Sequence, residues 1–527
     1  MKRVSTVLAV FLVGALMAPF FCGCDSSGAS VSRDFDDLIA GVTVGGGPEP
    51  PGTLGPLSDL GDLVYPKGDH WYYTRVRAMS DSGVVVGQSN TDGTTAKGAF
   101  MWQPPEGPIT FLGIHETQDH LRETYDDYYD IFYARASPRK FFIFSEAVDA
   151  NSSGACVGNS TTGGGWPREK EKRAFIWKDG RFTDLAPRDF FVDECRESLG
   201  RARHVIGSYS EAVDINEKGE VVLTIEDRPG EKHAYYWDGM SVETVWLDRQ
   251  VDERVPCVFE PFSVSIPVYV SLGRIVGQDS FAVAINENGQ AVVNSGGTAV
   301  FCDLNWDLVE SLNHLPGAEL TLAVDINDSS STNHDGIPDG HVVGNSGADK
   351  DSDGRLSLPD DSVRGFFWDG GAMYPVDDLG GGGSQVTDIN NKDQVVGAAA
   401  KADGSFHAII WTLGQDKRGH IQDLGTLGGA NSLATAINER GQVVGWSETG
   451  TYYQEQGVGP LPVRHAFLWD KGVMYDLGVH NDFYKYPFIE PYPFSEAVDI
   501  DASGRVTGNS ITINTHYRGF FLAPAVP

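Results

Sequence analysis

Val386-Thr387-Asp388-Ile389-Asn390, Gln394-Val395-Val396-Gly397, His407-Ala408-Ile409-Ile410-Trp411 and Asp423-Leu424-Gly425 follow one another within forty residues. β-Branched and aromatic residues fill the short runs, and Asn, Gly and Asp interrupt them. That grammar spells strand, tight turn, strand, loop, strand, turn, strand. No apolar spacing of three and four residues runs through it, so helices are not expected.

The pattern recurs on both sides. Its first element appears as Ala78-Met79-Ser80-Asp81, Ala147-Val148-Asp149-Ala150-Asn151, Ala212-Val213-Asp214-Ile215-Asn216 and Ala282-Val283-Ala284-Ile285-Asn286. It returns as Ala323-Val324-Asp325-Ile326-Asn327, in the quoted copy, and as Ala434-Thr435-Ala436-Ile437-Asn438 and Ala497-Val498-Asp499-Ile500-Asp501. The third element carries a fixed aromatic, as in Ala99-Phe100-Met101-Trp102, Ala174-Phe175-Ile176-Trp177 and Ala466-Phe467-Leu468-Trp469. Four short strands per repeat with a fixed Trp predict an all-β chain: a single β-propeller of four-stranded blades. Eight blades are expected. Seven is the alternative, because the fourth repeat has Cys302 in the Trp position and no clear fourth strand. The eighth repeat stops at Gly519-Phe520-Phe521-Leu522, while an orphan fourth strand, Leu57-Ser58-Asp59-Leu60-Gly61, precedes the first. An N-terminal strand completing the last blade closes the ring and removes two sheet edges. A linear solenoid or sandwich array lacks that complementarity.

The segments His407-Ala408-Ile409, His465-Ala466-Phe467-Leu468-Trp469 and Asp423-Leu424-Gly425-Thr426-Leu427-Gly428-Gly429 resemble the HAF-type extracellular repeats of bacterial proteins. The resemblance covers about residues 57 to 527 and is densest between 384 and 478. It implies export and a β-repeat fold, and it carries over no activity and no catalytic residue.

The chain start agrees with export. Lys2 and Arg3 precede an apolar stretch from Val7 to Phe21, the build of a signal peptide over residues 1–23. Phe21-Cys22-Gly23-Cys24 resembles the lipobox of bacterial lipoproteins, with Cys24 as the lipidated residue. Phe21 and Cys22 depart from the usual residues of that box. The expected address is the cell envelope, periplasmic or on the surface, with plain secretion as the alternative. Residues 24–56, with Gly45-Gly46-Gly47-Pro48-Glu49-Pro50-Pro51, read as a flexible tether to a propeller over 57–527. The 527 residues hold 40 Lys+Arg against 73 Asp+Glu, a formal charge of -33. Nucleic acid is therefore not an expected partner, and the membrane is expected only through the lipid anchor.

Across the chain there is no HExxH, GxSxG, Walker loop or CxxC pair. The repeated Trp reads as packing between blades and the repeated Asn as a turn former. His233, His407 and His465 open third strands of different repeats, so they do not converge on one metal. Surplus length concentrates at roughly 114–144, 187–209, 247–279, 451–463 and 479–494, connections expected on one face. Tyr125, Tyr128, Tyr129 and Tyr133 in the first, and Tyr484 and Tyr486 in the last, stand among acids and suit sugar stacking or peptide capture. The expected function is a non-enzymatic binding or adhesion scaffold for a polysaccharide, peptide or protein partner. The alternative is an exported carbohydrate-active enzyme using carboxylates at the channel mouth. Cys195 and Cys257 fall in successive long loops and are expected to pair in an oxidising compartment. Cys156 and Cys302 are expected as buried thiols.

The fifth repeat carries two acidic insertions. Asp349-Lys350-Asp351-Ser352-Asp353-Gly354-Arg355 through Asp360 follows the calcium-loop spacing: acids at 1, 3 and 5, Gly at 6, the Arg355 carbonyl at 7 and an acid at 12. It resembles dockerin-type loops. Asn333, Asp335 and Asp339 sit in a segment resembling the calcium loops of integrin-type propellers. A structural Ca²⁺ is expected, because hard oxygen ligands suit calcium and crowded acids repel without a cation.

Overall fold

The computed structural model describes residues 58–60, 73–90, 97–104, 109–113, 145–161, 172–185, 209–228, 230–241, 267–271, 279–303, 308–329, 340–350, 356–358, 362–455, 459–479, 494–511 and 517–523. Every regular element among them is a strand. They form six four-stranded antiparallel sheets and one eight-stranded sheet. The larger sheet is two four-stranded groups joined by a single parallel bridge, Arg464 to Phe494.

Each four-stranded sheet is a meander of four consecutive strands. The sixth is typical: Gly380–Ile389, Val395–Lys401, Phe406–Leu413 and Gly419–Gly425. The units are numbered here in chain order, one per repeat. Their first strands are Thr74–Met79, Ser145–Ala150, Ser210–Ile215, Ser280–Ile285, Leu320–Ile326, Gly380–Ile389, Ser432–Ile437 and Phe494–Ile500. In unit 1 the repeat starts at Val76, two residues before the Ala78 expected, so Ala78 stands where most units have Asp and Ser80 where they have Asn.

Every first strand bulges at the same place, one residue after its central Ala or Val. The Gly of the Val-Val-Gly motif lies opposite that bulge. A Cβ on Gly397 would stand 1.9 Å from the Gln385 carbonyl, so unit 6 needs glycine for this close approach, whereas units 3 and 4 carry Leu223 and Val293 opposite the same bulge. The 1→2 turn is equally fixed. Asn216 Oδ1 accepts the Lys218 and Glu220 amides, and Gly219 closes the turn with a φ of 86°.

The core is a series of apolar layers between consecutive units. Trp411 of unit 6 is fully buried against Val343 and Phe367 of unit 5, and Trp469 of unit 7 packs on Val396 and Ile410 of unit 6. Trp102 of unit 1 lies 4.7 Å from the Phe521 ring of unit 8. First strands of successive units touch one another, and the first strand of unit 8 also touches that of unit 1. The third strand of unit 8, Tyr517–Leu522, pairs on its outer edge with Ser58–Asp59, and the Leu60 amide donates to Gly519.

Three sequence expectations change. Unit 4 does own a fourth strand, Leu308–Ser311. Residues 451–455 and 459–463 are no loop but the outer half of a long hairpin, pairing Tyr452 with Pro462 and Tyr453 with Leu461. Residues 242–266 join the third and fourth strands of unit 3, because Pro267–Ser271 pairs with Tyr235–Ser241. That insertion therefore leaves the opposite end of the unit from 187–209. The shared face assumed for Cys195 and Cys257 is lost, and both cysteines lie outside the described residues.

Candidate functional site at the ends of the inner strands

The two ends of the first strands are built differently. At the end carrying the 1→2 turns, the repeated Asn works twice. Its oxygen holds its own turn, as its sequence position suggests, while its amide nitrogen reaches the next unit. Asn151 donates to the Asn216 carbonyl, Asn216 to Asn286, Asn286 to Asn327, Asn327 to Asn390, Asn390 to Asn438 and Asn438 to Asp501, at 2.9–3.2 Å. In unit 8 Asp501 has no amide to offer, and Arg505 reaches the Asp81 carbonyl of unit 1 instead. The residue after the Asn adds a second run of bonds: Glu217, Glu287 and Asp328 each accept the corresponding amide of the preceding unit. Burial, with Asp328 and Glu217 nearby, pushes the Glu287 carboxyl up despite its bond to the Glu217 amide.

Two more repeated side chains cross between units. The first-strand Asp accepts the amide one unit on: Asp149 from Ile215, Asp214 from Ile285, Asp388 from Ile437 and Asp499 from Met79. Burial pushes the Asp499 carboxyl up to about 8, and Asp149 and Asp81 add to it against the pull of the Met79 and Ile500 amides. The Ser opening the first strand accepts the third-strand amide of the unit before: Ser145 from Ala99, Ser210 from Ala174, Ser280 from Ala234, Ser432 from Ala408 and Ser495 from Ala466. These carboxylates and hydroxyls fasten backbone, so they do not stand as acids poised for chemistry.

The His of the HAF-like motif is accounted for within its own unit. His407 bonds Asp423 at 2.8 Å and His465 bonds Asp476 at 2.9 Å. The same Asp also takes the amide of the following Gly, Gly425 or Gly478. Arg173 with Asp184 fills these positions in unit 2; in unit 5 Pro375 stands at the Asp position and Arg364 instead reaches Asp378, three residues further on. The recurrent His–Asp spacing is thus a clasp between third and fourth strands.

At the opposite end, where connections from the fourth strands enter, units 7, 8, 1 and 2 gather a mixed ionic cluster that the sequence did not reveal. Arg77 of unit 1 pairs with Glu146 of unit 2, both nearly buried. Lys97 lies 3.5 Å over the Tyr73 ring, and Arg464 lies 4.3 Å over Trp446. Arg75, Arg464 and Arg77 all act on Glu496, whose carboxyl burial nonetheless pushes up. Burial and the neighbouring Arg75 lower the Lys97 ammonium, and Glu146 offsets part of that. The signal lay in the repeat alignment. Bulge residue Arg77 corresponds to Val148, Val213, Val283, Val324, Thr387, Thr435 and Val498. Only an exact register exposes that exchange.

Cys24, Tyr125, Tyr128, Tyr129, Tyr133, Tyr484 and Tyr486 lie outside the described residues. So do Asp351, Asp353, Arg355, Asp360, Asn333, Asp335 and Asp339 of the calcium loops. Asp349 is described, at the end of the second strand of unit 5. Beyond the loop, Leu356 and Leu358 are buried with Val363, and the Leu358 amide donates to Gln385. The insertion around 331–339 follows a first strand and that at 349–361 a second strand, so they leave opposite ends of unit 5. Among the described residues no group of three or more His, Cys, Asp or Glu is placed to hold a metal. Cys156 and Cys302 are buried free thiols; burial raises both, Cys302 to about 12.

No family model matches the chain, and no curated protein does. Solved structures similar to it include the β-propeller domain of the Trilobed protease from Pyrococcus furiosus, at 12% identity, covering 74% of this chain and 97% of that one with a TM-score of 0.36. The acylaminoacyl peptidase of Pyrococcus horikoshii matches at 9% identity over 73% of this chain and 53% of its own, TM-score 0.37. TolB from Acinetobacter baumannii matches at 11% identity over 58% and 60%, TM-score 0.25. These likenesses are too loose to superpose any site.

Proposed function

We propose that the chain is a closed eight-bladed β-propeller, exported and lipid-anchored through Cys24, that serves as a non-enzymatic binding scaffold. Closure is supported by the contact between the first strands of units 8 and 1, and by the pairing of Ser58–Asp59 with Phe520 and Phe521. The observation that carries the binding reading is the inequality of the two ends of the units. At the 1→2 end, buried amides and carboxylates stitch unit to unit through short turns. The connections 114–144, 186–208 and 480–493 all leave the other end, where a rigid scaffold presents variable loops. Unit 3, with its insertion at 242–266, and unit 5, with the 331–339 insertion between its first two strands, are the exceptions.

The partner is a polysaccharide, peptide or protein. A scaffold is favoured over a hydrolase because Asp149, Asp214, Asp388 and Asp499 are each engaged by backbone amides across a unit boundary. The 349–360 and 331–339 loops are assigned a structural Ca²⁺ each, and the buried Leu356 and Leu358 give the first loop a fixed end to close on. The test is a glycan and peptide array probed with the full chain, beside palmitate labelling of the wild type and Cys24→Ser. Specific array signals and Cys24-dependent label are expected; an empty array or turnover of an arrayed glycan sinks the binding reading. Calcium at about 1 mM should raise the melting temperature, and Asp349→Ala with Asp353→Ala should abolish the rise. No shift with calcium removes the metal from the proposal.

A further inference from the structure

The eight units act as one another's controls. Seven of them build the bulge with Val or Thr, so the fold does not need a cation where Arg77 stands. Two residues earlier, at the Arg75 position, units 4, 5 and 7 carry Phe281, Leu322 and Leu433. Unit 1 nevertheless places two arginines on one inner strand, beside Lys97 on its third strand, a position that units 2, 3 and 7 also fill with a cation, Lys172, Lys232 and Arg464. Burying charge is costly, and a buried ion pair is weak evidence for stability. A local departure that the fold does not require marks a functional position.

The charge balance points the same way. In a chain of net charge -33, this cluster sets Arg75, Arg77, Lys97 and Arg464 against Glu146, Glu448 and Glu496. Glu496 is 6% exposed, and its Oε1 is buried without a hydrogen-bond partner among the described residues. Buried polar atoms ordinarily find partners. A plain anion would be repelled by the interleaved carboxylates, and a plain cation by the arginines. A ligand offering both a carboxylate and hydroxyl donors satisfies both sets: guanidinium groups hold the carboxylate, and Glu146 and Glu496 accept hydroxyls.

We propose that the ionic cluster of units 7, 8, 1 and 2 binds a uronic acid residue of an acidic polysaccharide. This rests on the binding-scaffold reading and names its ligand class and its place on the loop-bearing end. The test is calorimetric titration of the full chain with trigalacturonate, maltotriose and triglycine. Trigalacturonate should bind roughly ten-fold or more tighter than either of the others, one charge-assisted contact's worth. The variant Arg77→Val with Glu146→Leu takes residues other units carry at those positions, so the fold is kept and the preference lost. Arg75→Gln, the residue unit 6 has there, leaves the Arg77–Glu146 pair intact and should weaken binding by a similar factor. Equal binding of the neutral sugar, preference for triglycine, or unchanged affinity in folded Arg75→Gln overturns the proposal. If the array finds other ligands while this titration fails, only this site falls and the scaffold stands.

Discussion

Unit 6 and unit 1 have the same four strands and the same bulge, yet they are fastened to their successors differently. Unit 6 grips unit 7 through Asp388 to the Ile437 amide at 2.8 Å and Asn390 to the Asn438 carbonyl at 3.0 Å. Unit 1 has Ala78 and Ser80 at those positions. Its hold on unit 2 runs through Gln88 to the Ser145 carbonyl, Ser145 to the Ala99 amide, and the Arg77–Glu146 pair. The difference teaches that the apolar layers between units define the architecture, while the polar fastenings can be exchanged where another demand applies.

The largest effect should come from the layer itself. Trp411→Ala empties a fully buried site between units 5 and 6 and orphans Asp377, which accepts the indole N–H at 2.9 Å. A loss of about 3–5 kcal/mol is expected in denaturant unfolding. A loss under about 1 kcal/mol would mean that the polar stitches, not the layers, carry the fold.

Next is Asp388→Ala, which gives unit 6 the residue of unit 1. The buried Ile437 amide loses its acceptor, so about 1–3 kcal/mol should go, with the melting temperature falling accordingly. A neutral result would erase the contrast between the two units.

Asp499, which fastens unit 8 to unit 1, sharpens the comparison through pH. Its folded carboxyl titrates at about 8 against an ordinary 3.8, so the folded state keeps a proton that the unfolded chain has released. Its contribution to stability is therefore largest at low pH and falls as pH rises from about 4 to about 8. Asp499→Asn should flatten that part of the stability–pH curve; identical slopes in variant and wild type would refute the assignment.

The smallest effect is expected at the motif that gives the repeat its look. His407→Gln removes the clasp to Asp423, which is 38% exposed, and pairs of that kind contribute about 0.2–1 kcal/mol. A larger loss in thermal unfolding would assign the His a role beyond joining two outer strands.

Much of this was legible because the repeat prints its rules eight times. The Val-Val-Gly, the Asn turn and the Ala-Phe-x-Trp strand each follow from local geometry: a close backbone approach opposite the bulge in most units, a turn needing a side-chain acceptor, a strand needing a packed face. The Asn illustrates the limit. Its oxygen serves the turn it starts, which spacing reveals, but its amide serves a residue roughly 40 to 70 positions away. The insertion at 242–266 was assigned to the wrong end because the weak strand Pro267–Ser271 has little alternation to mark it.

Sequence alone determined the all-β class, the four-strand unit and the complementary ends, since periodicity and turn chemistry act over a few residues. Tertiary structure decided which polar atoms meet across units, and that Arg75, Arg77, Lys97, Glu146, Arg464 and Glu496 share one environment. Those residues come from four units, 7, 8, 1 and 2, far apart in the chain. Their charges interact only after strand pairing and the apolar layers have fixed the register that brings them together.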